Sequence, residues 1–183
     1  ALLPGWQTPS PGPDAAALNR AISLTQASLS AGDAWRTRFV AWVYAGAGYT
    51  AALWCRGLGW SAADTGACER GLRGAEHCRQ RLPLLTDDAR PSAVASVLGD
   101  TSAEAQAAYY ALAPFAQQDL LRRYWQARID YPLQVTGHDL QDLGWTPGPA
   151  FSRVLAEAAA RALDGELPDR PAQLAWLERQ PRR

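Results

Sequence analysis

The chain of 183 residues contains no lysine, no methionine and only three cysteines. It also has no uninterrupted apolar segment approaching the roughly 18 to 20 residues that a membrane helix needs. Without lysine there is no Gly-Lys-Ser/Thr phosphate loop, and no Gly-x-Gly-x-x-Gly follows a strand, so both common routes to nucleotide binding are excluded. Net charge is missing as well: eighteen basic residues face eighteen acidic ones, so any nucleic-acid contact must come from a local patch. Every cation is an arginine, which suits bidentate phosphate or carboxylate contacts and equally reflects a compositional bias. Cys55, Cys68 and Cys78 cannot all pair within one chain, which predicts a reducing cytoplasm. Ala1-Leu2-Leu3-Pro4-Gly5 lacks the basic flank and apolar run of a signal peptide. The absence of methionine leaves two readings of the first residue: an initiator removed, or the edge of a fragment.

What is present suits a folded chain. Hydrophobic residues make up 48% and charged residues 20%, enough for one domain or two small packed units. Pro4 to Pro13 reads as an extended arm, so the expected organisation is an arm over 1–13, a helical body over 14–130 and a helical tail over 131–183. Asp14 caps a helix to about Ser30 with Leu18, Ile22, Thr25 and Leu29 along one side. After Gly32-Asp33, a second helix carries the stripe Trp35, Phe39, Trp42 and Val43, interrupted at Gly46 and Gly48 and resuming from Tyr49 to Arg56. Ser61 opens a weakly apolar helix toward Arg81, in which Gly66, Gly71 and Gly74 permit close approach of a neighbour. Pro91 starts a short helix through Leu98, and Thr101-Ser102-Ala103-Glu104 reads as a capping box. The helix after Pro114 buries Leu120, Leu121, Tyr124, Trp125 and Ile129 and wets Arg122, Arg123 and Arg128.

The punctuation is clearest near the end. Thr136 and Asp139 bracket a capping box, and Gly144 stops the short helix it opens. Pro147-Gly148-Pro149 makes a rigid turn into a long helix that ends near Gly165, and Asp169 with Pro171 starts the last one. Only Pro132 to Val135 is extended in character, so the expected class is all-α: an orthogonal bundle or short array of eight to ten helices.

Catalytic signatures fail on geometry. His138 and Asp139 are adjacent and do not face each other on a helix, and no serine or cysteine sits in an activated-nucleophile motif. Cys68 and His77 fall on opposite sides of their helix, about 180° apart, which argues against zinc. Asp87-Asp88 suits a turn cap better than a convergent metal pair. A binding candidate survives: backbone N–H groups around Gly148, Pro149 and Ala150 can hold a phosphate, with Arg153 one turn further on and Arg122 and Arg123 as weaker candidates. The plain alternative is a sharp turn between helices.

Val135-Thr136-Gly137-His138-Asp139-Leu140, Leu143-Gly144, Pro147-Gly148-Pro149 and Leu163-Asp164-Gly165-Glu166-Leu167 closely resemble the carboxyl-terminal signature of the bacterial class II tRNA nucleotidyltransferase and poly(A) polymerase family. Asp169-Arg170-Pro171 and Leu174-Ala175-Trp176-Leu177 look like its final helix, with departures at Ala150, often acidic in the family, and Ser152, often glycine. The resemblance is densest over Leu120 to Leu177 and fades before Leu85. It implies a non-catalytic, RNA-positioning region with tRNA or another structured RNA and a catalytic head as partners. Mg²⁺ and CTP or ATP would be bound only in that head, whose Gly-Ser and Asp-x-Asp motifs this chain lacks; no cofactor is expected here. The alternative is a stand-alone helical scaffold or protein-interaction module.

Overall fold

A computed structural model describes residues 15–25, 34–47 and 52–181. The described residues form helices and connecting turns, with no strand among them. The arm over 1–13, Asp14, Leu29, Asp33, Gly48 and Tyr49 lie outside them, as do the side chains of Leu18, Ile22 and Thr25. The chain divides into two units, residues 1–87 with 97–122 and residues 88–96 with 123–183.

In the first unit, α1 (Ala15–Thr25), α2 (Ala34–Ala47) and α4 (Ala62–Arg81) surround α6 (Ala103–Tyr110), while the short α3 (Ala52–Cys55) lies on α4. Small residues set these distances. A Cβ on Gly71 would meet Val40 Cγ2 at 3.0 Å, and one on Gly74 would meet the Ala105 Cβ at 2.6 Å, so these two glycines admit α2 and α6 against α4. Gly66 differs: a Cβ there meets only the flexible end of Arg70. Ser61 caps α4, its Oγ accepting the Asp64 N–H at 3.1 Å, and Pro83 ends it in a 3-10 turn, Leu82–Leu84.

Three local expectations are corrected here. Helix α2 continues through Gly46, and its buried face is Thr37, Val40, Ala41, Val43 and Tyr44, whereas Trp35 and Trp42 are 44% and 50% exposed. On this face Val40 lies against Gly71 of α4 and the Tyr44 hydroxyl donates to Glu76 at 2.5 Å; Trp35 and Phe39 instead pack edge-on against Trp60 at 5.4 and 4.8 Å. Helix α6 starts one residue late, with Ser102 rather than Thr101 as its cap, accepting the Ala105 N–H at 3.3 Å. Glu104 is drawn away from the cap by Arg36, which bonds it at 3.3 Å and Asp64 at 3.0 Å, tying α2 to the starts of α4 and α6. Ile129, finally, is 52% exposed near the end of α7 (Phe115–Asp130), although Leu120, Leu121, Tyr124 and Trp125 are buried as expected.

The second unit holds the last three helices. Helices α8 (Gly137–Asp142), α9 (Pro149–Leu163) and α10 (Arg170–Glu178) close around Val135, Leu140, Trp145, Val154, Ala158, Ala162, Leu167, Trp176 and Leu177. The segment 132–135 is in neither helix nor strand and pairs with a side chain. Gln173, fully buried, accepts the N–H groups of Gln134 and Val135 at 2.8 and 3.2 Å and donates to the carbonyls of Pro132 and Leu167 at 3.1 and 3.2 Å. All four of its hydrogen-bonding capacities are filled, which is the condition for burying an amide without penalty.

Candidate nucleic-acid interface

Gly144 and Gly165 adopt φ of 80° and 75°, left-handed conformations that a Cβ would strain, and each follows the end of a helix. Asp139 carries the capping box of α8: one carboxylate oxygen accepts the Thr136 N–H at 2.7 Å and the Thr136 hydroxyl at 2.9 Å. Arg170, at the start of α10, bonds the same carboxylate and donates to the Gln134 carbonyl at 2.7 Å. These contacts hold the Asp139 carboxyl below the usual aspartate range, the Thr136 N–H first and Arg170 second. Gly137 sits so close to Phe151 that a Cβ would lie 3.3 Å from the ring, which brings the start of α8 against the first turn of α9.

Helix α9 opens on Gly148 and Pro149. Gly148 is extended, at φ 168°, and has no side chain with which to cap, so the N–H groups of Ala150 and Phe151 receive no side-chain cap from it. Pro147, Gly148 and Pro149 are exposed, whereas Ala150 and Phe151 pack partly on the core. Arg153 is exposed and makes no ion pair among the described residues, because Glu157, one turn on, is taken by Arg161 at 3.1 Å. Helical side chains lean toward the N-terminus, so a side chain as long as that of Arg153 can reach back toward the exposed turn.

The other candidate arginines are engaged. Arg122, in the first unit, pairs with Asp119 at 2.5 Å; Arg123, in the second, donates to the Ala89 carbonyl at 3.2 Å. Sequence reasoning missed Asp164. From the end of α9 its carboxylate accepts the Ser92 N–H at 2.9 Å and the Ser92 hydroxyl at 2.7 Å, capping α5 (Pro91–Leu98) from 72 residues away. The signal was the missing local cap: Arg90 precedes Pro91 where Ser, Thr, Asp or Asn would normally stand.

Among the described residues no three His, Cys, Asp or Glu side chains gather as a metal site. All three cysteines are buried, and burial pushes the Cys68 and Cys78 thiols up to about 12, far from the thiolate that metal or nucleophile chemistry needs. His77 contacts the Val97 carbonyl at 2.8 Å, and His138 is exposed. No helix among the described residues is long and apolar enough to cross a membrane. Comparison with protein-family models, with curated proteins and with solved structures gives no match.

Proposed function

We propose that this chain is the RNA-positioning, non-catalytic helical region of a tRNA nucleotidyltransferase or a poly(A) polymerase relative whose catalytic head lies outside it. The observation that carries the reading is the start of α9: exposed backbone at Gly148, N–H groups at Ala150 and Phe151 without a side-chain cap, and an arginine without a carboxylate one turn away. Such an arrangement favours a phosphate through both the helix dipole and direct donors. It reads the backbone and no base, so its role is to hold the RNA in register while chemistry occurs elsewhere. The resemblance of residues 135–177 to the family's tail supports the choice of RNA over other phosphates.

The scaffold reading draws on the pairing of Arg122, Arg161 and Arg170 with Asp119, Glu157 and Asp139, which engages these three cations within the protein. Two measurements separate the readings. Fluorescence anisotropy with labelled tRNA shows salt-sensitive binding if the first is right and none if the second is. Incubation of the purified chain with labelled CTP or ATP, Mg²⁺ and tRNA leaves the tRNA unextended; extension would overturn the non-catalytic assignment.

A further inference from the structure

A second feature of the 88–96/123–183 unit lies apart from the α9 start. Between the end of α7 and the outer side of α9 is a cleft of about 260 Å³ lined by Tyr124, Arg128, Tyr131, Leu133, Ala159 and Leu163. Its volume is just below the range of about 300 to 1,000 Å³ for drug-sized ligands, which suits one ring system with its substituents. The walls are aromatic and aliphatic, yet Tyr131 and Leu133 remain 37% and 41% exposed. Tyr131 is backed by Gly165, where even a Cβ would stand only 3.6 Å from the ring.

The charge in the cleft has one sign. Arg128 lies 5.8 Å over the Tyr124 ring and makes no ion pair among the described residues. The neighbouring carboxylate, Asp130, is bonded by Gln126 at 2.9 Å, and no carboxylate lines the cleft. A guanidinium stacked on a ring keeps its edge donors for an oxyanion. A flat ring carrying a phosphate satisfies both halves: the ring covers Tyr131 and Leu133, and the phosphate meets Arg128.

We propose that this cleft takes a single unstacked nucleoside monophosphate unit, its base against Tyr131 and its phosphate on Arg128. The choice of a nucleotide rests on the RNA reading above; the site itself is separate from the α9 start. The same chemistry is offered by a nucleotide splayed from an RNA strand and by a free nucleotide.

The test uses the whole chain and a fluorescein-labelled octa-adenylate, with an abasic strand of equal length as the control and free AMP as competitor, read by anisotropy. The wild type should prefer the base-bearing strand. Tyr131→Ala and the cleft-filling Ala159→Phe should each weaken that strand by about fivefold or more, as expected for one lost base stack, and leave the abasic strand unchanged. Arg128→Ala should weaken both strands. Displacement by AMP would assign the site to free nucleotides; binding of the strand with no displacement would assign it to RNA. Equal wild-type affinity for the two strands, no binding of either, or wild-type behaviour of both Tyr131→Ala and Ala159→Phe overturns the proposal. Circular dichroism confirms that the variants are folded. Intact tRNA whose binding responds to Arg153→Ala and not to Tyr131→Ala would retain the backbone reading and remove the cleft. Base-dependent strand binding with no tRNA binding would do the reverse.

Discussion

The side-chain Oε1 of Gln173 accepts the backbone N–H of Val135 at 3.2 Å, a contact across 38 residues that fixes the entrance to α8 against α10. Because the same amide serves three further backbone groups, Gln173→Leu would strand two N–H groups and two carbonyls in or near the core. Each buried unsatisfied group costs about 1 to 3 kcal/mol, so we expect a loss of roughly 3 kcal/mol or more in urea unfolding. An unchanged midpoint with an unchanged slope would remove Gln173 from this role.

Gly74→Ala should destabilise the first unit. Its Cβ would lie 2.6 Å from the Ala105 Cβ and 3.1 Å from Thr101 Cγ2, so α4 and α6 must separate at a cost of about 1 to 3 kcal/mol. Gly66→Ala meets only the mobile Arg70 end and should be neutral or slightly stabilising, through higher helix propensity. Thermal unfolding of the two variants side by side checks the contrast, which reversed order would contradict.

These cases mark what was readable from the sequence. Ser61, Asp139, Gly144, Pro149 and Gly165 were legible because capping and left-handed turns are local chemistry, written within a few residues. Gln173, Asp164 and Arg36 were not, because their partners lie far along the chain and no local pattern announces them. Trp35 and Trp42 misled for a different reason: bulk draws the eye to the wide residues, but the inward face of α2 is set by its partners on α4, Gly71 against Val40 and Glu76 bonded by Tyr44. At the candidate interface, Gly148 and Arg153 were legible as a turn and a cation. The engagement of Arg122 by Asp119 was an i,i+3 pair open to inspection, whereas the Arg123 contact to Ala89 required the fold.

Acid should weaken both units. Arg79 above all, then Tyr44 and Gln80, hold Glu76 at about 2 against the opposing effect of burial, and Asp139 is likewise depressed. Both folded-state values lie below the unfolded values of about 4, so their contribution is complete above roughly pH 5 and is lost as pH falls toward 2. Urea midpoints measured from pH 6 to pH 2.5 should fall in that window. Asp139→Asn should flatten part of the fall, and Thr136→Ala should cost about 0.5 to 2 kcal/mol at pH 7. A midpoint constant down to pH 2.5 would contradict the assignment.

The RNA-positioning account is tested most directly by the salt dependence of tRNA affinity for the whole chain and for Arg153→Ala. Backbone binding releases counterions, so log affinity should fall linearly with log salt for the wild type. The variant should bind tRNAs of different sequence more weakly by a common factor and show a slope shallower by about 0.9. Identical slopes and affinities for the two proteins, or no tRNA binding by the wild type at about 50 mM salt, would contradict the account.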